Sequence, residues 1–549
     1  MAASDQVQHE VTTGVSQSLM EEPTEDVVVE PEGGRLKKIR DAVKENLAKL
    51  RWLTGCQIAV MVMALVVLIL CVAMLAGCYQ ATLQSILHSQ LEIREGSQSY
   101  KVWKETQDPL LLKLYLFNLT NPKQFQLGHK PVLQEEYHKK QNLTFHPNNT
   151  VTYQQQRWWI WDQELSGNNT QDDVIVSVNT IPVSAAWALR DSSLAQIILN
   201  VMFNEVGEKL FVTSTVSEIM FTGVKDPVLE WIQENVVAKN GSYHTLLPFF
   251  GPNSAVIKYD KFAWFYQRNM SMDYDGLFNM KTGVDTLENL GIIDWWNQER
   301  ETPFFSPPCN HVTGSAGELF PPHPGKDHII FYSSDLCMSM KLFYKEDITD
   351  VAKLQGYRFW GSNHTFANGS VVSGNECYCV KHTCAPTGLV NAESCRMGAP
   401  AFVSFPHFLN ADPFLLDGVS GLDPQEGKHS FIIDIVPELG VPMKVAARLQ
   451  INLRVLPYPQ HGKFHIDEID ILKSVPDVYL PMLWFEILAD ITQDQAGQLN
   501  TLVYILQSPI LNTIIWCVLL SLALLTLVLV LVVHYWRNRN RYNMVNSTQ

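Results

Sequence analysis

Two segments near opposite ends of the chain carry no charge at all, and they limit what the rest of the 549 residues can be. Leu53–Gly77 holds 25 such residues and Ile510–Val533 holds 24. At about 1.5 Å rise per residue, a helix of either length reaches ~36 Å, enough to cross a hydrocarbon core of ~30 Å. Both are apolar on every helical face, which predicts membrane spans rather than amphipathic core helices. Arg35, Lys37, Lys38, Arg40, Lys44, Lys49 and Arg51 precede the first span, and Arg537, Arg539 and Arg541 follow the second. The excess of positive charge on both outer flanks predicts that both termini are cytosolic. The first segment lies far from the N-terminus and lacks a small-residue cleavage pattern, so it reads as a retained anchor rather than a removable signal.

The expected organisation follows: a cytosolic segment 1–52, a span 53–77, an ectodomain 78–509, a span 510–533 and a cytosolic tail 534–549. Residues 1–34 contain eight acids and no Lys or Arg, the composition of a disordered tail. The formal charge of −15 belongs to the ectodomain, because acids and bases cancel in the two tails. Such a surface has no net attraction for polyanions, so nucleic acid is not an expected partner.

Two features of the ectodomain point to the secretory pathway. Asn118, Asn142, Asn148, Asn168, Asn240, Asn269, Asn363 and Asn368 each begin an Asn-x-Ser/Thr glycosylation acceptor, and each needs a surface position if it is used. A ninth match, Asn546, falls in the cytosolic tail and should stay unmodified. Six cysteines, Cys309, Cys337, Cys377, Cys379, Cys384 and Cys395, lie within one stretch of the ectodomain. In an oxidising compartment an even cluster reads as a disulfide framework, and six cysteines allow 15 pairings. A zinc site built from Cys377, Cys379 and Cys384 with His382 or His311 is the weaker reading, since Cys-x-Cys is not a usual structural zinc spacing. No metal or other cofactor is expected.

Secondary-structure signals favour strands with helical insertions. In Arg448–Val455 the apolar Leu449, Ile451, Leu453 and Val455 alternate with Arg448, Gln450, Asn452 and Arg454, the period of a sheet with one wet face. Leu112–Leu119, Val174–Val178 and Phe431–Val436 are shorter strand candidates. Helices are expected over Gln80–Arg94, Val228–Val237 and Ser184–Asn204, the last with a Trp187, Leu194, Ile198, Val201 spacing. Pro and Gly crowd Pro303–Pro324, which predicts an irregular loop. Nucleophile turns of the Gly-x-Ser-x-Gly type, His-Glu-x-x-His and phosphate-binding Gly-rich loops do not occur, so an enzyme is not expected.

Leu114–Pro122 (LYLFNLTNP), Ser333–Cys337 (SSDLC), Gly398–Leu409 (GAPAFVSFPHFL), Gly421–Pro424 (GLDP) and the Arg448–Val455 strand resemble, in order and in position between two anchors, the signature segments of the class B scavenger receptors. That resemblance implies an α+β ectodomain: an antiparallel β-barrel core with an apical helical bundle and a hydrophobic tunnel. It implies a receptor for lipids or lipid-carrying particles that passes hydrophobic cargo to the membrane. It also implies the disulfide pairs Cys309–Cys377, Cys337–Cys395 and Cys379–Cys384. Two departures stand out. The segment Pro131–Asn142 (PVLQEEYHKKQN) lacks the family's Gly-Pro-Tyr, which puts local strand pairing in question. Around Asn204–Phe211 the family's cationic cluster is replaced by Glu205, Glu208 and Lys209, which predicts an apex that prefers ligands without dense negative charge.

The alternative from another class is a two-span ligand-gated channel, which shares the topology. It is disfavoured because all six ectodomain cysteines are clustered and the second span largely lacks pore-lining small or polar positions after Ser521. In the C-terminal tail, Tyr542-Asn-Met-Val545 matches the Tyr-x-x-Φ pattern that clathrin adaptors bind as an extended strand. It predicts surface delivery followed by endocytosis into an endosomal and lysosomal pool. The orientation has a direct test. Epitope tags on either terminus should resist protease added outside intact cells, and digestion of either one would overturn the assignment of both ends to the cytosol.

Overall fold

The structure is a computed structural model that describes residues 55–106, 108–121, 126–235, 260–349, 353–380, 384–396, 398–458 and 469–546. The acidic segment 1–34 and Asn240 lie outside them. The chain divides into two compact units, one holding the residues up to Gly77 and from Thr513 onward, the other Cys78–Asn512.

In the terminal unit, α1 (Gly55–Ala73) continues through a π-helical turn, and α8 (Pro509–Asn546) runs for 38 residues. Their apolar stretches Gln57–Cys78 and Thr513–Asn540 have mean hydropathies of 3.3 and 3.0 and are only 11% and 6% buried by protein. Helices so apolar and so uncovered need lipid around them, and this is a membrane protein. The helix that carries the second apolar run continues past Val533 into the tail. Neither Gly nor Pro follows the apolar run, so nothing stops the helix before Asn546, and the backbone of Tyr542 and Val545 is helical rather than extended.

The larger unit is built on a 13-stranded sheet in which every strand pair is antiparallel. The strands are β1 (Leu110–Asn121), β2 (Gln126–His146), β3 (Thr150–Trp161), β6 (Leu277–Lys281), β7 (Ile293–Trp296), β8 (His328–Ser333), β9 (Met338–Thr349), β10 (Gln355–Trp360), β11 (Val390–Asn391), β12 (Ala401–Ser404), β13 (Ile432–Val436), β14 (Val441–Val455) and β15 (Val478–Asp490). Their order is β7-β6-β3-β2-β1-β15-β14-β13-β10-β9-β8, with β12 pairing β14 and β11 pairing β12. A separate hairpin-like pair joins β4 (Val174–Val178) to β5 (Phe211–Thr215).

β2 is unbroken across the segment that lacks Gly-Pro-Tyr. It pairs β1 through Gln126–Glu136 and β3 through Gln134–His146. β14 is longer than its alternating stretch: it pairs β15 along Lys444–Val455, and its other edge is shared between β13 and β12.

The two ends of the sheet nearly meet. Ile293 N donates to Gly314 O (2.9 Å), Ser315 N donates to Ile330 O (3.0 Å) and Tyr332 N donates to Ser315 O (2.8 Å). A short extended strip therefore bridges the first and last strands, so neither is left as an open edge. Gly314 makes this approach feasible. Its φ is +86°, and a Cβ there would lie 2.4 Å from the Ile330 carbonyl oxygen.

Two helical groups pack on the barrel. α2 (Tyr79–Leu91), α3 (Gln98–Lys104) and α7 (Gln493–Gln507) contribute Leu91, Tyr100, Trp103 and Val503 to a core with Val151, Tyr153 and Phe278. α4 (Thr180–Ala188), α5 (Ser193–Val206) and α6 (Pro227–Asn235) form a bundle whose core joins Val183, Leu199, Phe203 and Val228 to Leu453, Val455 and Met482 of the barrel.

The expected single helix over Ser184–Asn204 is thus two helices. Ser192 starts the second by accepting from Ala195 N (3.4 Å). The expected apolar stripe also faces the other way: Leu194, Ile198 and Val201 are 60%, 41% and 60% exposed, while Ala195, Leu199, Met202 and Phe203 are buried. α5 is apolar on both faces, so periodicity alone could not choose between them.

The six ectodomain cysteines are bonded as Cys309–Cys377, Cys337–Cys395 and Cys379–Cys384, with Cα separations of 5.6, 6.3 and 4.2 Å. The first ties the Pro303–Pro324 loop to the turn at Asn375–Tyr378.

Replacing Gly314 by Ala should destabilise the ectodomain by about 2 kcal/mol or more, because the new methyl collides with backbone at the closure point. Thermal unfolding of the detergent-solubilised protein measures it, and an unchanged midpoint would show that the strip does not hold the barrel shut.

Candidate functional site

The inward side chains of the strands do not fill the barrel. They leave a cavity of about 270 Å³, close to the lower end of small-molecule sites at ~300 Å³. Its walls are Leu112 of β1, Leu449, Ile451 and Leu453 of β14, Leu483, Phe485 and Ile487 of β15, and Ala401 and Val403 of β12. The helical bundle closes one side with Thr180, Ile181, Ser184 and Leu229, joined by the aromatic segment Phe262–Tyr266.

One part of the wall is ionic: Glu136, Arg157, Arg268, Asp335 and Arg396, with Tyr274. These residues belong to a larger buried network that occupies the neighbouring barrel interior. β2 points Gln134, Glu136, His138 and Lys140 inward on alternate positions. Glu136 bonds to His138 (2.8 Å) and lies 3.8 Å from the Arg157 guanidinium. Lys140 bonds to Gln155 (2.7 Å) and to Glu318. Arg157 bonds to Asp275 and Asp335, the latter at 3.3 Å. Arg268 reaches Asp335 at 2.7 Å and lies 3.8 Å above the Tyr274 ring, while Arg396 lies 3.7 Å from Asp335 and donates to the Tyr274 hydroxyl (3.1 Å).

Burial would push Glu136, Glu318 and Asp335 up, but their cationic partners outweigh it. Arg268, Arg157 and Arg396 hold Asp335 well below the usual carboxylate range, and Lys140 and His138 hold Glu318 down. Burial works against the charged form of His138, yet Glu136 and Glu318 raise its pKa. Among the described residues no three His, Cys, Asp or Glu side chains converge as a metal site.

The model of the CD36 family matches residues 60–534. The chain belongs to the CD36 family. It is 34% identical over 405 residues to scavenger receptor class B member 1 of Sus scrofa, covering 72% of this chain and 73% of that protein. It is 31% identical over 421 residues to protein peste of Drosophila melanogaster, covering 75% and 71%. Lysosome membrane protein 2 of Homo sapiens is 26% identical over 453 residues, covering 80% and 87%.

In this CD36-family chain the residues singled out by sequence are scattered around the cavity rather than gathered in it. Glu205 and Lys209 are exposed at the end of α5, but Glu208 is buried, so it cannot act as a surface charge for particles. Asn142, Asn148, Asn168, Asn269 and Asn363 are exposed. Asn118 and Asn368 are half-buried: Asn118 Oδ1 accepts from Val176 N (2.9 Å), and Asn368 Nδ2 donates to Ala385 O (3.1 Å).

The expected wet face of β14 is not wet. Gln450 and Asn452 are fully buried and bonded to Ser404 and Phe402 O of the paired strand β12 and to His407 N of the Phe405–Leu409 segment that follows it. Sequence reading missed the ionic interior altogether, although Gln134-x-Glu136-x-His138-x-Lys140 carries the strand period in polar residues.

The sign of the His138 effect is fixed by its raised pKa. Its contribution to stability is complete below the unfolded imidazole value of ~6.5 and is lost as pH rises through the higher folded value. His138→Gln should therefore lower the melting temperature more at pH 6 than above the folded value, read as the difference from the wild-type curve. Parallel curves would mean that the imidazole is not charged in the folded protein.

Proposed function

We propose that this protein is a receptor for lipids or lipid-bearing particles whose barrel interior holds hydrophobic cargo on its way to the bilayer. The observation that carries this reading is the apolar cavity, a space bounded largely by Leu, Ile, Val and Phe side chains, with an ionic group on one part of its wall and Lys261 beside the aromatic segment. Burial of an acyl or isoprenoid chain there gains roughly 0.8 kcal/mol per CH₂. The ion pairs on that wall are matched among themselves, so they offer a polar end without an unpaired buried charge.

The same reading gives the α4–α6 bundle the role of an apical capture surface. The Leu194, Ile198 and Val201 stripe supplies apolar contact for a particle surface. Exposed Glu205 beside Lys209 disfavours densely anionic particles. One relative is named a scavenger receptor and another a lysosome membrane protein, in keeping with a receptor that is delivered to the cell surface and taken up into an endosomal and lysosomal pool. Both termini are then cytosolic, the exposed acceptors carry glycans, and a clathrin adaptor reads Tyr542 and Val545 after that end of α8 unwinds.

Filling the space tests the proposal. Ile451→Trp and Leu229→Trp, which enter the cavity from the barrel and from the bundle, should each reduce several-fold the lipid that co-purifies with the full-length protein. Mass spectrometry of organic extracts gives the measurement, with a melting curve showing that each variant is folded. Folded variants that retain the wild-type lipid load would exclude the cavity as the cargo site.

A further inference from the structure

The three helices of the bundle meet at one side chain. Asn179 Oδ1 caps α4 by accepting from Ile181 N (3.1 Å), and its backbone N donates to Leu210 O (2.7 Å). Its amide nitrogen donates to two acids, Glu208 Oε1 and Asp226 Oδ2, each at 2.8 Å. Glu208 follows Gly207, the left-handed residue that ends α5, and Asp226 starts α6 by accepting from Val228 N (3.0 Å) and Leu229 N (3.2 Å). Both acids are buried, at 7% and 4% exposure.

No basic side chain forms an ion pair with either acid among the described residues. Lys209 reaches Glu208 only through its backbone N (2.9 Å), and the further charged group acting on Asp226 is another acid, Glu230. The second oxygen of Glu208, Oε2, is buried without a hydrogen-bond partner.

We infer that Glu208 and Asp226 form a proton-binding pair that sets how tightly the bundle is held, so that the bundle tightens between neutral and endosomal pH. Two buried carboxylates on one amide cannot both stay ionised without cost, and a proton on either one removes the repulsion. Burial raises the Asp226 carboxyl as well, but the Asn179 amide and the Leu229 and Val228 amides of the α6 N-terminus act against that rise. Both oxygens of Asp226 accept hydrogen bonds whereas Glu208 Oε2 has none, so the first proton goes to Glu208.

Burial, then the Asp226 charge, pushes the Glu208 carboxyl up to about 7. A carboxyl raised above its unfolded value adds stability as pH falls through the folded value, and that gain is complete only below the unfolded value. At neutral pH the junction of α5 and α6 opens more often; at endosomal pH it is locked. This deepens the proposed function, on which it rests for its meaning, because α5 carries the exposed Leu194, Ile198 and Val201 stripe. The device regulates the capture surface by acidity.

Hydrogen exchange of the full-length protein in detergent, with no lipid cargo added, tests it at pH 7.5 and 5.5. After correction for intrinsic exchange, peptides covering residues 204–211 and 226–232 should open about tenfold less often at the lower pH. Glu208→Gln should exchange equally slowly at both values, and Asn179→Ala should exchange faster at both. Asp226→Asn, which keeps a capping side chain, should weaken the dependence without abolishing it, because burial alone still raises the Glu208 carboxyl. A wild type without pH dependence in these peptides, or either acid variant keeping the wild-type dependence, overturns the inference. Cargo does not enter the measurement, so a failure of the lipid-binding proposal leaves this result readable by itself.

Discussion

Arg157 lies where Asp275, Asp335 and Glu136 converge, and the interior of the barrel depends on that convergence. A closed sheet of this size has more interior than ordinary apolar side chains can fill. Here part of the space is taken by long charged side chains, each of which needs an opposite charge once it has left water. Lys140 has Glu318, His138 has Glu136, and Arg268 and Arg396 have Asp335. The rest of the interior is left to the apolar walls of β14 and β15, and the cavity sits at the boundary. Removing one partner would strand a buried charge, so the network works as a rigid partition beside the cavity.

The outer face of the same strands shows why the barrel is not a simple two-faced sheet. Tyr115 stacks on Trp484 at 3.7 Å, and His407 stacks on His429 at 4.2 Å beside that indole. Asp423 N donates to His407 Nδ1, and Gln425 N donates to His429 Nδ1. These contacts fasten the chain that follows β12 across Gln450 and Asn452. Both sides of β14 are therefore buried, its polar side chains are satisfied internally, and β14 can serve as the common partner of β12, β13 and β15.

The bundle obeys a different logic. Its helices are short; an apolar core shared with the barrel packs them, and one polar point joins their ends. Asn179 supplies hydrogen bonds to the start of α4 and to the acids that end α5 and begin α6. Glu208 follows the residue that ends α5, so this polar point is joined directly to the helix that carries the exposed apolar face. A local change of charge can therefore reach it without disturbing the barrel.

Much of this protein was legible in its residues taken alone. Charge-free runs of 25 and 24 residues determined the two spans, since nothing but lipid or enclosing protein suits such helices. The Leu-Lys-Leu-Tyr-Leu alternation of β1 and the Arg448–Val455 pattern gave strands, and signature segments in a fixed order gave the family. Tertiary structure decided the rest. Periodicity shows that Gln450 and Asn452 share a face, but only the Phe405–Leu409 segment, more than forty positions away, makes that face dry. The two apolar faces of α5 are equivalent in sequence, and packing against Leu453 and Met482 chose the one that holds Leu199 and Phe203. Glu208 reads as a surface charge until Asp226 and Asn179 are brought against it. Local sequence dictates backbone period and solvent preference, whereas burial and the pairing of charges depend on partners from other elements, and the packing of barrel and bundle brings those partners together.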